Sequence, residues 1–240
     1  MSRGSGSKSG GGNVGAVPRG MHVRVKTAKK RTVSSARWLE RQLNDPYVAA
    51  AKREGYRSRA AFKLIEIDDK LHVLKPGAAV VDLGAAPGGW CQVASARVRS
   101  RPGDPGPNGK VVGIDLTEVT PMAGAEVIQL DFLAEDAPDR LRALLGGPAD
   151  VILSDMAASA TGHKATDHLK IMALCEAALE FAVEVLKPGG AFIAKVLQGG
   201  SENQLMATLR KHFAVVKHMK PPASRKDSSE MYVIATGFRD

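Results

Sequence analysis

Short apolar runs alternate with helical patterns from residue 78 to the end of the 240-residue chain, which specifies an α/β fold on a doubly wound, mostly parallel sheet. Two further observations agree. A Gly-rich turn, Gly84-Ala85-Ala86-Pro87-Gly88-Gly89, joins the first apolar run to the next helix, where such sheets bind small ligands. The last two runs have only a short connection, which suits an antiparallel strand at one edge.

Residues 1–33 are Gly/Ser-rich and then basic (Lys26, Lys29, Lys30, Arg31), and no acid precedes Glu40. Such a stretch buries too little apolar surface to offset its chain entropy, so it reads as a disordered basic arm before a single domain over 34–240. It has neither the apolar core of a secretory signal nor the amphipathic pattern of a transit peptide. Ser34 or Ser35 can cap a first helix. Asp45-Pro46 opens a second, which Gly55 stops, and Ser58 caps a third through Ala61, Phe62, Leu64 and Ile65. Lys75-Pro76-Gly77 ends this lead-in.

Strands are expected over 78–84, 110–116, 125–132, 150–156 and 191–197, then near 213–219 and 231–238. Helices are expected over 89–98, 167–186 and 202–212. The middle one carries a stripe of Ile171, Leu174, Ala178, Phe181 and Val185, and Lys187-Pro188-Gly189-Gly190 stops it. The Pro/Gly-rich segment 99–108 reads as a surface loop.

Formal net charge is +9, from 34 Lys and Arg against 25 Asp and Glu. That balance suits a polyanion such as nucleic acid, although a merely well-solvated basic protein would show it too. Only 5% of residues are aromatic, which favours phosphate contact over a base-stacking platform. No apolar run is long enough to span a bilayer, so no membrane is expected. Two cysteines, Cys91 and Cys175, form no disulfide framework and point to a reducing, cytoplasmic compartment. The histidines lack metal-ligand spacing, and no metal is expected; His163 and His168 read as solvated. Ser154 lies in no nucleophile elbow.

Three ligands compete for the Gly-rich turn. A dinucleotide needs Gly-x-Gly-x-x-Gly, and the second glycine is missing; a P-loop needs Gly-Lys-Ser/Thr, which is absent. S-adenosylmethionine carries no phosphate and calls for a tight turn with carboxylates nearby. Asp82 ends the first strand. Asp115 ends the second, where a carboxylate can accept both ribose hydroxyls. Asp131 ends the third, within reach of an adenine edge. A turn that only packs helix on strand, with acids that only cap helices, is the plainer alternative, and Asp131 suits it best.

Methyl transfer to a hydroxyl needs an in-line acceptor and removal of its proton. Lys195 lies near the end of an otherwise apolar strand, where its charge is costly unless paired. Asp155 ends the fourth strand, beside the ligand edge. The two could equally be a structural ion pair.

From Ser34 to Gly237 the chain resembles the FtsJ/RrmJ-type ribosomal RNA 2′-O-methyltransferase family, within the Rossmann-like class I S-adenosylmethionine-dependent methyltransferases. The likeness rests on Ser35-Ala36-Arg37-Trp38-Leu39, Arg57-Ser58-Arg59-Ala60-Ala61-Phe62-Lys63-Leu64, the run from Val81 to Trp90, Ser154-Asp155-Met156-Ala157, Lys195-Val196-Leu197-Gln198-Gly199, and the run from Ser229 to Gly237. The resemblance implies a Lys-Asp-Lys-Glu tetrad on Lys63, Asp155, Lys195 and Glu230. It also implies cofactor contacts from Gly88, Trp90, Asp115, Asp131 and Asp155. Lys195 is assigned as base and the others to positioning and electrostatics. A lysine base must be neutral against a reference pKa of about 10.4. A second ammonium, from Lys63, favours that and the carboxylates oppose it. Ala158 stands where the family has Pro, so the loop 158–166 departs from its pattern, as does the long loop 99–108.

Arg37, Arg57 and Arg59 on one side, and Lys217, Lys220, Arg225 and Lys226 on the other, flank tetrad positions in sequence. They are expected to line an RNA groove through phosphates, the alternative being a solvated charged face. The resemblance implies a uridine ribose in large-subunit (23S) ribosomal RNA, methylated on the large ribosomal subunit; a monomer is expected. The rivals are a transfer-RNA or messenger-cap 2′-O-methyltransferase, a non-catalytic RNA-binding assembly factor, and a nucleotide-dependent oxidoreductase.

Overall fold

The computed structural model describes residues 32–158, 161–198 and 202–239. Nearly all of the basic arm, residues 159 and 160 of the loop after Ala158, and Gly199 lie outside the described residues. The chain divides into two compact units, Met1–Ala49 and Ala50–Asp240. In the first, α1 (Val33–Leu43) is capped by Thr32, whose hydroxyl oxygen accepts the Ser35 amide at 3.2 Å. The cap therefore lies earlier than Ser34 or Ser35, because Thr32 is the last residue in extended conformation. Asp45 accepts the Tyr47 amide at 3.0 Å and Pro46 opens α2 (Pro46–Glu54), as expected.

The larger unit continues with α3 (Ala61–Leu71), β1 (Ala79–Leu83), α4 (Gly89–Val98), β2 (Lys110–Asp115), β3 (Glu126–Gln129), α5 (Ala137–Leu145), β4 (Ala149–Ser154), α6 (Lys164–Val185), β5 (Leu186–Leu197), α7 (Glu202–His212), β6 (Phe213–Met219) and β7 (Glu230–Phe238). Its sheet has the order β3-β2-β1-β4-β5-β7-β6. The first five strands of that order pair in parallel. β7 runs antiparallel to both β5 and β6, one place in from the edge. Strand order reverses between β1 and β4, so the crossovers leave to opposite sides and open a crevice at the carboxyl ends of these strands.

Both faces of the sheet are covered, which is why its central strands are apolar almost throughout. Val81, Leu83, Val112, Ile114, Ile152 and Phe192 pack with Leu141 of α5 and Phe181 of α6. The alternate positions Val80, Val111, Val151, Leu153 and Ile193 pack with Leu64 and Ile67 of α3 and Val93 of α4.

Four local expectations change. Ser58 does not cap α3: the N-cap is Ala60, and the Ser58 carbonyl accepts the Ala61 amide at 3.3 Å in the turn leading in. The Ser58 hydroxyl instead lies against Gly89, where an added Cβ would sit 2.6 Å away. α5 was not anticipated, although Pro138 near its start, Leu141 and Leu145 on one face and Gly146 after it are its signals. β3 ends at Gln129, since Asp131 turns the chain: its carboxylate accepts the Leu133 amide at 3.0 Å. β5 runs through Lys187-Pro188-Gly189-Gly190 as an irregularity, the pairing jumping from Ala149↔Leu186 to Val151↔Ala191.

Candidate active site

Four charged side chains meet at the open end of β4, β5 and β7. Asp155 follows β4 directly, its amide donating to the Leu83 carbonyl of β1 at 3.1 Å. Lys195 of β5 places Nζ 3.2 Å from Asp155 Oδ1 and donates to the Asp155 carbonyl at 2.6 Å. Lys63, from the first turn of α3, reaches across with Nζ 3.9 Å from Asp155 Oδ2 and donates to Glu230 Oε2 at 2.8 Å. Glu230 opens β7, opposite Leu197 of β5. Its other oxygen accepts the Ser224 hydroxyl at 2.7 Å. Both lysine side chains are only 9% exposed. At that depth charges must be paired, and the alternation of ammonium and carboxylate pairs all four.

Tyr232 completes the cluster. It is fully buried, faces Lys195 across the β5–β7 ladder, and donates its hydroxyl to Asp155 Oδ1 at 2.7 Å. Burial alone would raise the Asp155 carboxyl. The ammoniums of Lys195 and Lys63, with the Tyr232 hydroxyl, outweigh it and hold the group below the usual carboxylate range. Burial pushes the Tyr232 hydroxyl well above its ordinary value, and the charges of Asp155 and Glu230 add to that. Sequence reasoning missed this tyrosine. Its signal was the two-residue period, which puts positions 230 and 232 on one face of a strand.

Beside the cluster a cleft of about 440 Å3 opens at the carboxyl ends of β1, β2 and β4. Ile114, Leu130, Phe132, Met156 and Leu174 make its walls, and Asp115 and Asp131 supply carboxylates. Asp115 is fixed on both oxygens, accepting the Thr117 amide at 2.8 Å and the Ala86 amide of the Gly-rich turn at 2.9 Å. A carboxylate offers about four lone-pair sites, so each oxygen keeps one for a ligand. From α6, Lys170 is a lining residue the sequence did not single out, and Leu174, expected in the helix's apolar stripe, lines the cleft too. Gly84 has φ +80°, and a Cβ there would sit 2.8 Å from Met156 Cα. The turn therefore tolerates no side chain where it passes the β4 end.

Gly88, at φ +109°, is the N-cap of α4. Trp90 is buried, its indole N–H donating to the Ala60 carbonyl at 2.8 Å and its ring 5.7 Å from that of Tyr232. The indole ties α4 to the start of α3, and Gly88 is buried as well. Asp82 is wholly buried. Burial pushes its carboxyl up to about 7, the Cys91 thiol donates to Oδ2 at 3.1 Å, and Oδ1 has no hydrogen-bond partner among the described residues.

The basic residues have diverse surroundings. Arg37 stands on α1, in the smaller unit. The Arg57 guanidinium donates to three backbone carbonyls, those of Pro87, Thr120 and Pro121. Arg59 donates to the Ala223 carbonyl at 2.5 Å, and Glu66 accepts the Ala223 amide at 2.6 Å. These two contacts dock the β6–β7 loop on α3. Lys220, on that loop, is exposed and donates to the carbonyls of Lys226 and Ser228. Arg225 is half-buried on the same loop. Among the described residues no group of His, Cys, Asp and Glu could hold a metal ion, and no helix is long and apolar enough to cross a membrane.

The chain is similar to known proteins. A family model described as FtsJ-like methyltransferase matches residues 56–238. Ribosomal RNA large subunit methyltransferase E of Parvibaculum lavamentivorans is 63% identical over 238 residues, 98% of this chain and 93% of the relative. The protein of the same name from Paramagnetospirillum magneticum is 60% identical over 238 residues, 98% of this chain and 97% of the relative. The crystal structure of a ribosomal RNA methyltransferase from Plasmodium falciparum superposes with a TM-score of 0.67 at 32% identity, covering 76% of this chain and 98% of that one. The matched span contains every residue of the four-charge cluster and of the acid-lined cleft, and the chain belongs to the FtsJ-like methyltransferase family.

Proposed function

We propose that the chain transfers a methyl group from S-adenosylmethionine to the ribose 2′-hydroxyl of a uridine in large-subunit (23S) ribosomal RNA. The observation that carries this is Asp155, bound between two largely buried lysines beside a cleft lined by acids. The cleft suits the donor. Its volume is that of a small-molecule site, at roughly 300–1,000 Å3. Its carboxylates favour a ligand that carries positive charge and ribose hydroxyls. Asp115 would hold the ribose, Asp131 the adenine edge, and the main chain of Gly88 to Trp90 the amino-acid end. When bound, the donor supplies an electrophilic methyl on a sulfonium.

The rest is done by the chain's own residues. Lys195 takes the proton of the 2′-hydroxyl. As a base it acts as the neutral amine, whose two N–H groups are committed to the Asp155 carbonyl and carboxylate while the lone pair is left for the hydroxyl proton. Asp155 orients that amine and is itself fixed by Tyr232. Lys63, braced by Glu230, offers a second N–H donor to the ribose oxygen. Lys220 and Arg225, on the loop that carries Glu230, and Arg37 on α1 are assigned to RNA phosphates. The names of the relatives support the large ribosomal subunit as substrate. Two free buried cysteines, Cys91 and Cys175, suit a reducing cytoplasm, and a single chain carries the whole cluster, so a monomer suffices.

The test is incubation with methyl-labelled donor and large subunits from cells lacking the protein, followed by mapping of the label. Label is expected on one uridine ribose. Lys195→Ala should lower the rate by roughly 10²–10⁴-fold. Label on a base would refute the role of Lys195, and an undiminished Lys195→Ala variant would assign the base elsewhere.

A further inference from the structure

We propose that Arg57 is a positioning residue for the methyl donor: it clamps the 117–124 segment over the Gly-rich turn, so that Asp115 and Gly88 are held in register. This rests on the donor reading above. The guanidinium is spent on main chain. Nη1 donates to the Thr120 carbonyl at 2.6 Å and to the Pro87 carbonyl at 3.3 Å, and Nη2 to the Pro121 carbonyl at 2.9 Å. One planar group thus bridges two loops that share no strand. Its root is fixed as well. The Arg57 amide donates to Gln92 Oε1 at 2.7 Å, and Gln92 Nε2 donates to the Gly55 carbonyl at 3.0 Å, which fastens this turn to α4.

The clamped segment is tied at its other points too. Asp115 accepts the Thr117 amide at its start, and the Ser95 and Ser100 hydroxyls donate to the Gly124 carbonyl at 3.0 and 2.5 Å at its end. Between them, Met122 Cε and the Arg57 side chain close on Gly88, where a Cβ would sit 2.3 Å from Met122 Cε and 3.0 Å from Arg57 Nη1. The same Asp115 that would hold the donor's ribose accepts the Ala86 amide. The segment, the turn and the ribose acceptor are therefore one assembly, and Arg57 is its cross-brace. A phosphate contact would require the guanidinium to give up these carbonyls.

Arginine and lysine separate the two roles. A lysine keeps the charge a phosphate needs, but one ammonium cannot reproduce a planar fork that spans Pro87 and Pro121. Wild type, Arg57→Ala and Arg57→Lys are compared for binding of S-adenosylhomocysteine by calorimetry and of a large-subunit RNA fragment across a salt series. Both variants should bind S-adenosylhomocysteine about tenfold more weakly while keeping the wild-type RNA affinity and salt slope. Amide exchange should quicken in 84–90 and 117–124 while α6 and α7 stay protected. Normal S-adenosylhomocysteine affinity in both variants overturns the proposal. So does a loss of RNA affinity in Arg57→Ala that Arg57→Lys restores, which would make Arg57 a phosphate contact. If wild type itself fails to bind S-adenosylhomocysteine, the donor reading falls first and this inference with it.

Discussion

Two buried aspartates lie a few residues from the cleft and are held in opposite states by their neighbours. Asp155 has two ammoniums and a phenol, so it stays ionised well into acid. Asp82 has only a thiol and a main-chain N–H from Cys91, and burial lifts it from 3.8 to about 7. The sign of the second effect follows from proton counting. Between those two values the folded chain keeps a proton that the unfolded chain has lost, so stability falls as pH rises through that window. At about 1.4 kcal/mol per pH unit, the full swing is on the order of 4 kcal/mol. Asp82→Asn removes the ionisation and leaves a group of the same shape. The melting temperature of the variant, taken relative to wild type, should therefore climb from pH 5 to pH 8. A difference that stays flat with pH would show that Asp82 is not the titrating group. Lys195 and Asp155 stood out in the sequence because a charge at the end of an apolar strand has to be paired, and a structural ion pair would look the same. Tyr232 did not, because an aromatic residue in a strand reads as core. Lys63 and Glu230 lie 167 residues apart and meet only through the sheet, so only the family likeness paired them.

At the scale of elements, α3 matters most, since it carries Lys63 and has to be held against α4 behind the Gly-rich turn. Asp68 does much of this. It is 1% exposed, accepts the Val73 and Leu74 amides at 2.9 and 3.0 Å to close the end of α3, and takes Arg97 of α4 at 2.8 Å. Asp68→Ala strips two buried amides of their acceptor and Arg97 of a partner. Asp68→Asn can keep the acceptor and loses only the charge. The alanine variant should cost about 3 kcal/mol in denaturant unfolding and the asparagine variant roughly half of that. Equal losses would mean that the ion pair, not the cap, holds the helix. Legibility at this scale followed burial. Strands covered on both faces, β1, β2, β4 and β5, announce themselves as apolar runs. α5 is a single-sided helix of 9 residues whose stripe is little more than Leu141 and Leu145, too short for the period to show. Thr32, Ser34 and Ser35 all offer a hydroxyl at the start of α1, whereas α3 starts at Ala60 with no side-chain cap, and only the backbone path decides either start.

Over the whole molecule, the excess of 9 positive charges sets how the protein meets a polyanion. What matters for binding is which of those charges stand on the loops near the open end and which are built into the fold. The structure divides them. Arg57 and Arg59 hold loops through carbonyl oxygens, and Arg97 and Arg142 are paired with acids. Lys220 is exposed on the loop that Arg59 and Glu66 dock against α3, and Arg225 sits farther along it toward Glu230. A flexible lysine that donates to main-chain carbonyls on the surface can exchange them for a phosphate at little cost, whereas a buried fork cannot. Each phosphate neutralised releases counterions and contributes about 0.7 to the slope of log affinity against log salt for single-stranded RNA, or about 0.9 for a duplex. Lys220→Ala and Arg225→Ala together should thus flatten the slope by about 1.4–1.8 and weaken RNA binding most at low salt. Binding of S-adenosylhomocysteine should stay at the wild-type level, since neither residue lines the cleft. An unchanged salt slope in the double variant would move the RNA path off the β6–β7 loop and onto a different face of the sheet's open end.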